Sequence, residues 1–207
     1  IASLSLPMDQ EEQMLRAATV QRAGRNYSTA LNTLSSFVSS RPNSNYIRRA
    51  LRELRQTYRD YRFWSHDSSL QGRLGSYLST VATNHPNPSL RATANLLLAD
   101  ELHATRAWSA SSARYQQIVQ TQPNTNLERT ALFSLFAINA YGLRDTAAAG
   151  NILLTLRTKY PNDLHTGLAE TRYALLTGRV SGQMGKPSGP PEQITITRPD
   201  HYALEQN

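Results

Sequence analysis

The chain has 207 residues, and its 22 Lys and Arg outnumber 15 Asp and Glu for a formal charge of +7. It contains no cysteine, which excludes disulfides and thiolate metal sites, and no apolar run reaches the roughly 18 residues a membrane span needs. A hydrophobic content of 39% is low for one compact core and suits an elongated stack whose units touch only their neighbours.

The chain opens on Ile1 rather than Met with no signal peptide in view, so we read it as a processed or excised piece whose export signal lies outside it. Helical spacing and punctuation then set out the elements. A first helix is predicted from about Met8 to Ala23, broken at Gly24. A second runs from Tyr27 to Ser39 and is closed by Pro42. A long third helix covers Asn45 to Trp64, with Ile47, Leu51, Leu54, Tyr58 and Tyr61 on its apolar face. Asp67 is the expected N-cap of the fourth, which carries Leu70, Leu74, Leu78 and Val81 and stops at Asn84-His85-Pro86. The fifth is predicted over Ser89 to Arg106 and the sixth over Ser109 to Thr121. The seventh runs from Asn126 to Leu143 as a buried helix. Asp145 and Asp163 cap an eighth, ending at Tyr160-Pro161, and a ninth, ending near Gly178.

A register returns along these helices. Pro42 has Ala30 and Ala18 at twelve and twenty-four residues back, Pro123 has Ser111 and Ala99, and Pro161 has Ala149 and Ala137. Leu34, Tyr115 and Leu153 stand eight back, and Phe37, Ile118 and Leu156 five back. Small residues at matched places on two antiparallel helices allow a close crossing, and a proline stops the second helix. The pattern resembles the tetratricopeptide family over about residues 8–178. The second hairpin departs from it, with Leu74 and Arg62 at the small-residue places counted back from Pro86. The expected fold is all-α: a right-handed α-solenoid of about four helical hairpins plus a closing helix over residues 1–178, then an extended tail over residues 179–207.

Residues 181–191 are rich in Gly, Pro, Ser and Gln and read as a linker. Ile194-Thr195-Ile196-Thr197 alternates as a short strand would. Pro199, Asp200, Tyr202, Leu204, Gln206 and Asn207 follow the spacing Pro-Asp-x-Tyr-x-Leu-x-Gln-Asn. This resembles the junction before the C-terminal sorting domain of proteins exported by the type IX secretion system of Bacteroidetes. The resemblance implies a secreted or outer-surface protein. A tail of this composition holds a fixed place only against a partner, and Ile194, Ile196, Tyr202 and Leu204 are the expected contacts, on its own helices or on a neighbouring copy.

Arg48, Arg52, Arg55, Arg59 and Arg62 recur at spacings of four and three, so they share one face of the third helix. Glu53 and Asp60 offset them locally, and Tyr58, Tyr61, Phe63 and Trp64 cluster at the far end. Such a stripe suits an acidic face of another protein, an anionic glycan or another polyanion. No recognised nucleic-acid fold accompanies it, which disfavours nucleic acid. The plain alternative is a solvated face whose Arg stems cover apolar surface. Glu11, Glu12, Asp100 and Glu101 read as helix-surface charges. The five histidines show no metal-ligand spacing, and there is no nucleophile elbow, phosphate loop or His-Glu-x-x-His. No cofactor and no catalysis are expected. Asp145-Thr146-Ala147 resembles the O-glycosylation site of exported Bacteroidetes proteins and makes Thr146 a weak candidate. The leading expectation is a non-enzymatic secreted scaffold that self-assembles, with other copies of itself as partner. The alternative is a monomeric repeat module that binds protein or glycan, and the third is a polyanion binder.

Overall fold

The computed structural model describes residues 9–178. Among them are nine α-helices and one π-helical turn and no strand: α1 (Gln10–Ala23), α2 (Tyr27–Ser40), α3 (Ile47–Ser65), α4 (Ser69–Asn84), α5 (Pro88–Ala104), α6 (Trp108–Thr121), α7 (Asn126–Ala137), α8 (Thr146–Lys159) and α9 (Leu164–Leu176). The predicted strand at 194–197 lies outside the described residues, as does the rest of the tail. None of these helices is long and apolar enough to cross a membrane.

The boundaries follow local chemistry. Asp9, Asn87, Thr125, Asp145 and Asp163 each accept a first-turn backbone N–H with the side chain, the ordinary remedy for unpaired donors at a helix start. Pro88 sits at the first position of α5, where its missing N–H costs nothing. Ahead of α4, Asp67 accepts the Ser69 N–H at 2.9 Å, but Ser68 holds the cap position. The seventh helix differs from expectation. It leaves α geometry at Ile138 and runs as a π turn to Gly142. The turn ends against the indole of Trp108: a Cβ on Gly142 would stand 2.9 Å from that ring, so glycine permits the approach.

Successive helices pack on one another in sequence order. Each odd-numbered helix also touches the next odd-numbered one. The core is correspondingly divided. One buried cluster spans α1 to α5, from Leu15 to Leu98. A second holds Ala99, Tyr115, Ile118, Ala131, Leu135 and Ile138. A third runs from Leu132 to Ala169. Val119 and Ile152 pack against both of the last two. Packing of sequence neighbours with a divided core is compatible with a helical repeat array.

The small-residue places sit at the crossings. Ala18, Ala30, Ala99, Ser111 and Ala149 are buried, while Ala137 is half-buried. At the α5–α6 crossing the approach is close enough for the Ser111 hydroxyl to donate to the Ala99 carbonyl at 2.8 Å. The second hairpin lacks this device, and α3 meets α4 less extensively than it meets α2. Its far loop is fastened from outside instead. His85 accepts the Asn87 N–H on Nδ1 at 3.1 Å, which leaves the Nε2 hydrogen for the Val38 carbonyl at 3.1 Å. Asn87 Nδ2 donates to the Pro42 carbonyl at 2.8 Å.

Near the other end, the buried carboxylate of Glu128 gathers three donors. They are Lys159 Nζ at 2.5 Å, the Tyr160 hydroxyl at 2.6 Å and the Asn124 N–H at 2.6 Å. Burial alone would raise its pKa, but these hydrogen bonds outweigh burial and lower it. Asp163 behaves alike: burial opposes ionisation, and the His165 N–H and ring together with Arg129 bring the pKa down.

Two outcomes follow. Gly72 and Gly75 of α4 admit no neighbour, since a Cβ on either would meet nothing within 4 Å. Gly72→Ala therefore raises stability by about 0.5–1 kcal/mol, read from chemical denaturation. Because the folded pKa values of Glu128 and Asp163 lie below their unfolded ones, both groups stabilise the fold above the ordinary carboxylate range of about 4. That contribution is lost as pH falls through the lowered values. The thermal midpoint by circular dichroism drops steeply below about pH 4, and the drop is shallower in Glu128→Gln.

Candidate functional site

The face of α3 predicted as one basic stripe divides by depth. Arg48 is exposed, Arg52, Arg59 and Arg62 are half-buried, and Arg55 is buried. Arg55 Nε meets Glu101 of α5 at 2.6 Å, with Asp100 at 3.6 Å from its other nitrogen, and Arg59 lies 3.7 Å from Glu101. Glu101 is thus a buried partner and not the surface charge that the sequence suggested. The reading missed this because the pair is 46 residues apart in the chain. The Tyr115 hydroxyl donates to Asp100 at 2.6 Å. Burial raises the pKa of Asp100, partly offset by Tyr115 and Arg55, and burial beside Asp100 raises that of Tyr115. The opposite side of α3 is acidic and faces α1, where Arg22 forks between Glu53 at 3.3 Å and Asp60 at 3.2 Å. Glu53 and Asp60 therefore serve α1 and do not neutralise the stripe.

A concavity lies among α2, α3 and α4. It is a shallow cleft of about 260 Å³ with Leu54, Tyr58 and Tyr61 from α3 and Tyr77 and Arg73 from α4. The α2 wall is polar: Ser28, Asn32 and Ser35 line it beside Leu31. A second concavity of about 210 Å³ adjoins it through Ser28 and Tyr61 and reaches Arg25. Tyr61 is held by stacking on Tyr27, with ring centroids 5.1 Å apart and planes 19° from parallel. Burial, with a smaller effect from Tyr58, pushes the Tyr77 phenol up to about 12, so it stays a hydrogen-bond donor at neutral pH. Beyond Tyr61, the Arg25 guanidinium lies 4.0 Å over the Trp64 ring, a cation–π contact. No carboxylate lines the cleft.

Arg25 marks a signal present in the sequence and unused there. Arg25, Arg106 and Arg144 each adopt the left-handed conformation, with φ of 63°, 61° and 57°. Each stands seventeen residues before Pro42, Pro123 or Pro161. The within-hairpin turns thus share one register, and the α3–α4 turn breaks it by placing His66 in that conformation.

Among the other candidates, Thr146 is the first residue of α8, with Asp145 as its cap. Ile194, Ile196, Tyr202 and Leu204 lie outside the described residues. No cluster of three or more metal-ligating side chains occurs among the described residues. No protein-family model matches the chain, and no curated protein matches it in sequence.

Removing Glu101 takes the nearest carboxylate from both Arg55 and Arg59. Glu101→Ala costs about 3–5 kcal/mol, whereas Arg55→Met with Glu101→Leu stays within about 1 kcal/mol of the native chain or above it. Paired urea titrations read the difference.

Proposed function

We propose that this chain is a non-enzymatic, tetratricopeptide-like right-handed solenoid of four hairpins and a closing helix, working as a binding module whose α2–α4 cleft takes an anionic glycan. The composition of the cleft supports this. Tyr58 and Tyr61 offer aromatic surface for the apolar face of a sugar ring. Ser28, Asn32, Ser35 and the Tyr77 hydroxyl offer hydrogen bonds to hydroxyl groups. Arg73 offers the guanidinium fork that suits a carboxylate or sulfate, with no lining carboxylate to repel it. The resemblance of residues 199–207 to the type IX junction supports a secreted or cell-surface location, where such ligands occur.

The observation that carries the reading is the single cation among aromatic and hydroxyl groups. Titration of the full chain with a uronate oligosaccharide and its neutral counterpart, followed by calorimetry, tests it. The acidic ligand binds at least about tenfold more tightly, and Arg73→Gln removes that preference with the melting temperature unchanged. Equal binding of both sugars, or an acidic preference that survives Arg73→Gln, sinks the proposal. The self-assembling scaffold is the second reading. It draws on Phe63 and Trp64, which stand 69% and 52% exposed at the end of α3. Light scattering that shows large particles, dispersed by Trp64→Ser, would favour it.

A further inference from the structure

Helix α9 is apolar on two opposite sides. Thr166, Ala169 and Tyr173 face inward, the first two buried and Tyr173 packed on the cluster around Leu156. Leu164, Leu168, Thr171 and Leu175 follow one another at spacings of four, three and four, which places them together on the far side of the helix. These leucines are 59%, 40% and 64% exposed. A surface helix normally carries one apolar stripe. Each earlier odd helix is packed by the helices after it, whereas α9 has only α7 and α8. The stripe carries no charged residue. Its flanking charges are already engaged, Glu170 with Arg157 at 2.6 Å and Arg172 over the Phe133 ring at 5.3 Å.

We infer that this outer leucine stripe is a docking surface for the chain's own C-terminal segment, through the uncharged Ile194-Thr195-Ile196-Thr197 stretch. Three considerations select that occupant. Gly178 adopts a left-handed conformation, φ +66°, directly after α9, a turn that ends the helix and redirects the chain. The 15 residues from 179 to 193 form a Gly- and Pro-rich tether whose r.m.s. span is roughly 20 Å. That equals the length of the 13-residue α9, also about 20 Å, so the local concentration of residues 194–197 at the stripe is near its maximum, in the millimolar range. A second copy is the poorer match by area. The stripe is about 20 Å long and 10 Å wide, well short of the roughly 800 Å² per partner that a stable dimer needs.

The stripe is on the opposite end of the array from the glycan cleft, so the two proposals stand or fall separately. The test uses the full chain and its Ile194→Asp/Ile196→Asp variant. Amide hydrogen exchange is followed by mass spectrometry, with light scattering on the same samples. The variant exchanges at least about tenfold faster in α9 while α1 to α6 are unchanged, and both proteins are monomers. Leu168→Asp in the otherwise native chain reproduces the faster α9 exchange without unfolding the helix, since that side chain is not part of the buried core. Equal α9 exchange in the native chain and the double variant overturns the inference. So does a native chain that is dimeric or larger, becomes monomeric in Leu168→Asp, and is indifferent to the changes at 194 and 196. That pattern assigns the stripe to a second copy.

Discussion

Arg–carboxylate pairs tie odd-numbered helices together at three places along the chain. Arg22 of α1 reaches Glu53 and Asp60 of α3, Arg55 of α3 reaches Glu101 of α5, and Arg129 of α7 reaches Asp163 at the start of α9. Apolar contact alone leaves neighbouring helices free to slide by a turn at small cost. A charge half or fully removed from water does not tolerate that slide, because its partner must lie within hydrogen-bond reach. The even helices add close approach at small residues, as Ser111 shows with its bond to the Ala99 carbonyl, and α8 also pairs Lys159 with Glu128 and Arg157 with Glu170.

The reach of each contact along the chain explains what the sequence disclosed. Helices and their caps were legible because their causes are local: Asp145 and Asp163 bond to N–H groups two or three residues on. The prolines and small residues were legible because the repeat multiplies them. The basic stripe on α3 was misjudged in depth because its partners lie on another helix, and a helical wheel assigns residues to a face without saying what covers that face. The π turn at Ile138 was invisible for a similar reason. It packs against the Trp108 ring, and only the assembled hairpin brings ring and Gly142 together.

The second hairpin is where the sequence departs from the register of the others. Arg62 and Leu74 stand where other hairpins have small residues, and α3 meets α4 less extensively than it meets α2. The cleft among α2, α3 and α4 is not filled by core. It is lined by tyrosines and hydroxyl groups, with Leu54 and Leu31 beneath. A unit that only had to stack would close this gap with apolar side chains, since an exposed aromatic cleft contributes little to stability. The bonds of His85 and Asn87 tie the α4–α5 loop to the Val38 and Pro42 carbonyls at the far end of α2.

The excess of Arg over Lys is put to geometric use. A lysine ammonium is a compact, strongly hydrated charge, whereas guanidinium is planar, forked and weakly hydrated. Arg22 divides its fork between two carboxylates on α3. Arg91 Nη1 spans the His85 and Pro86 carbonyls at 2.8 and 3.3 Å. Arg25 and Arg172 stand over aromatic rings. None of these tasks is available to lysine on equal terms. A codon bias toward Arg would scatter the residue without regard to such places, and exposed Arg48 fits that account. Arg25 does not: it occupies a left-handed turn that its own side chain helps to hold by covering Trp64. The array thus uses one side chain type as cross-tie, carbonyl clasp and ring cover, and the same chemistry at Arg73 remains available to a ligand.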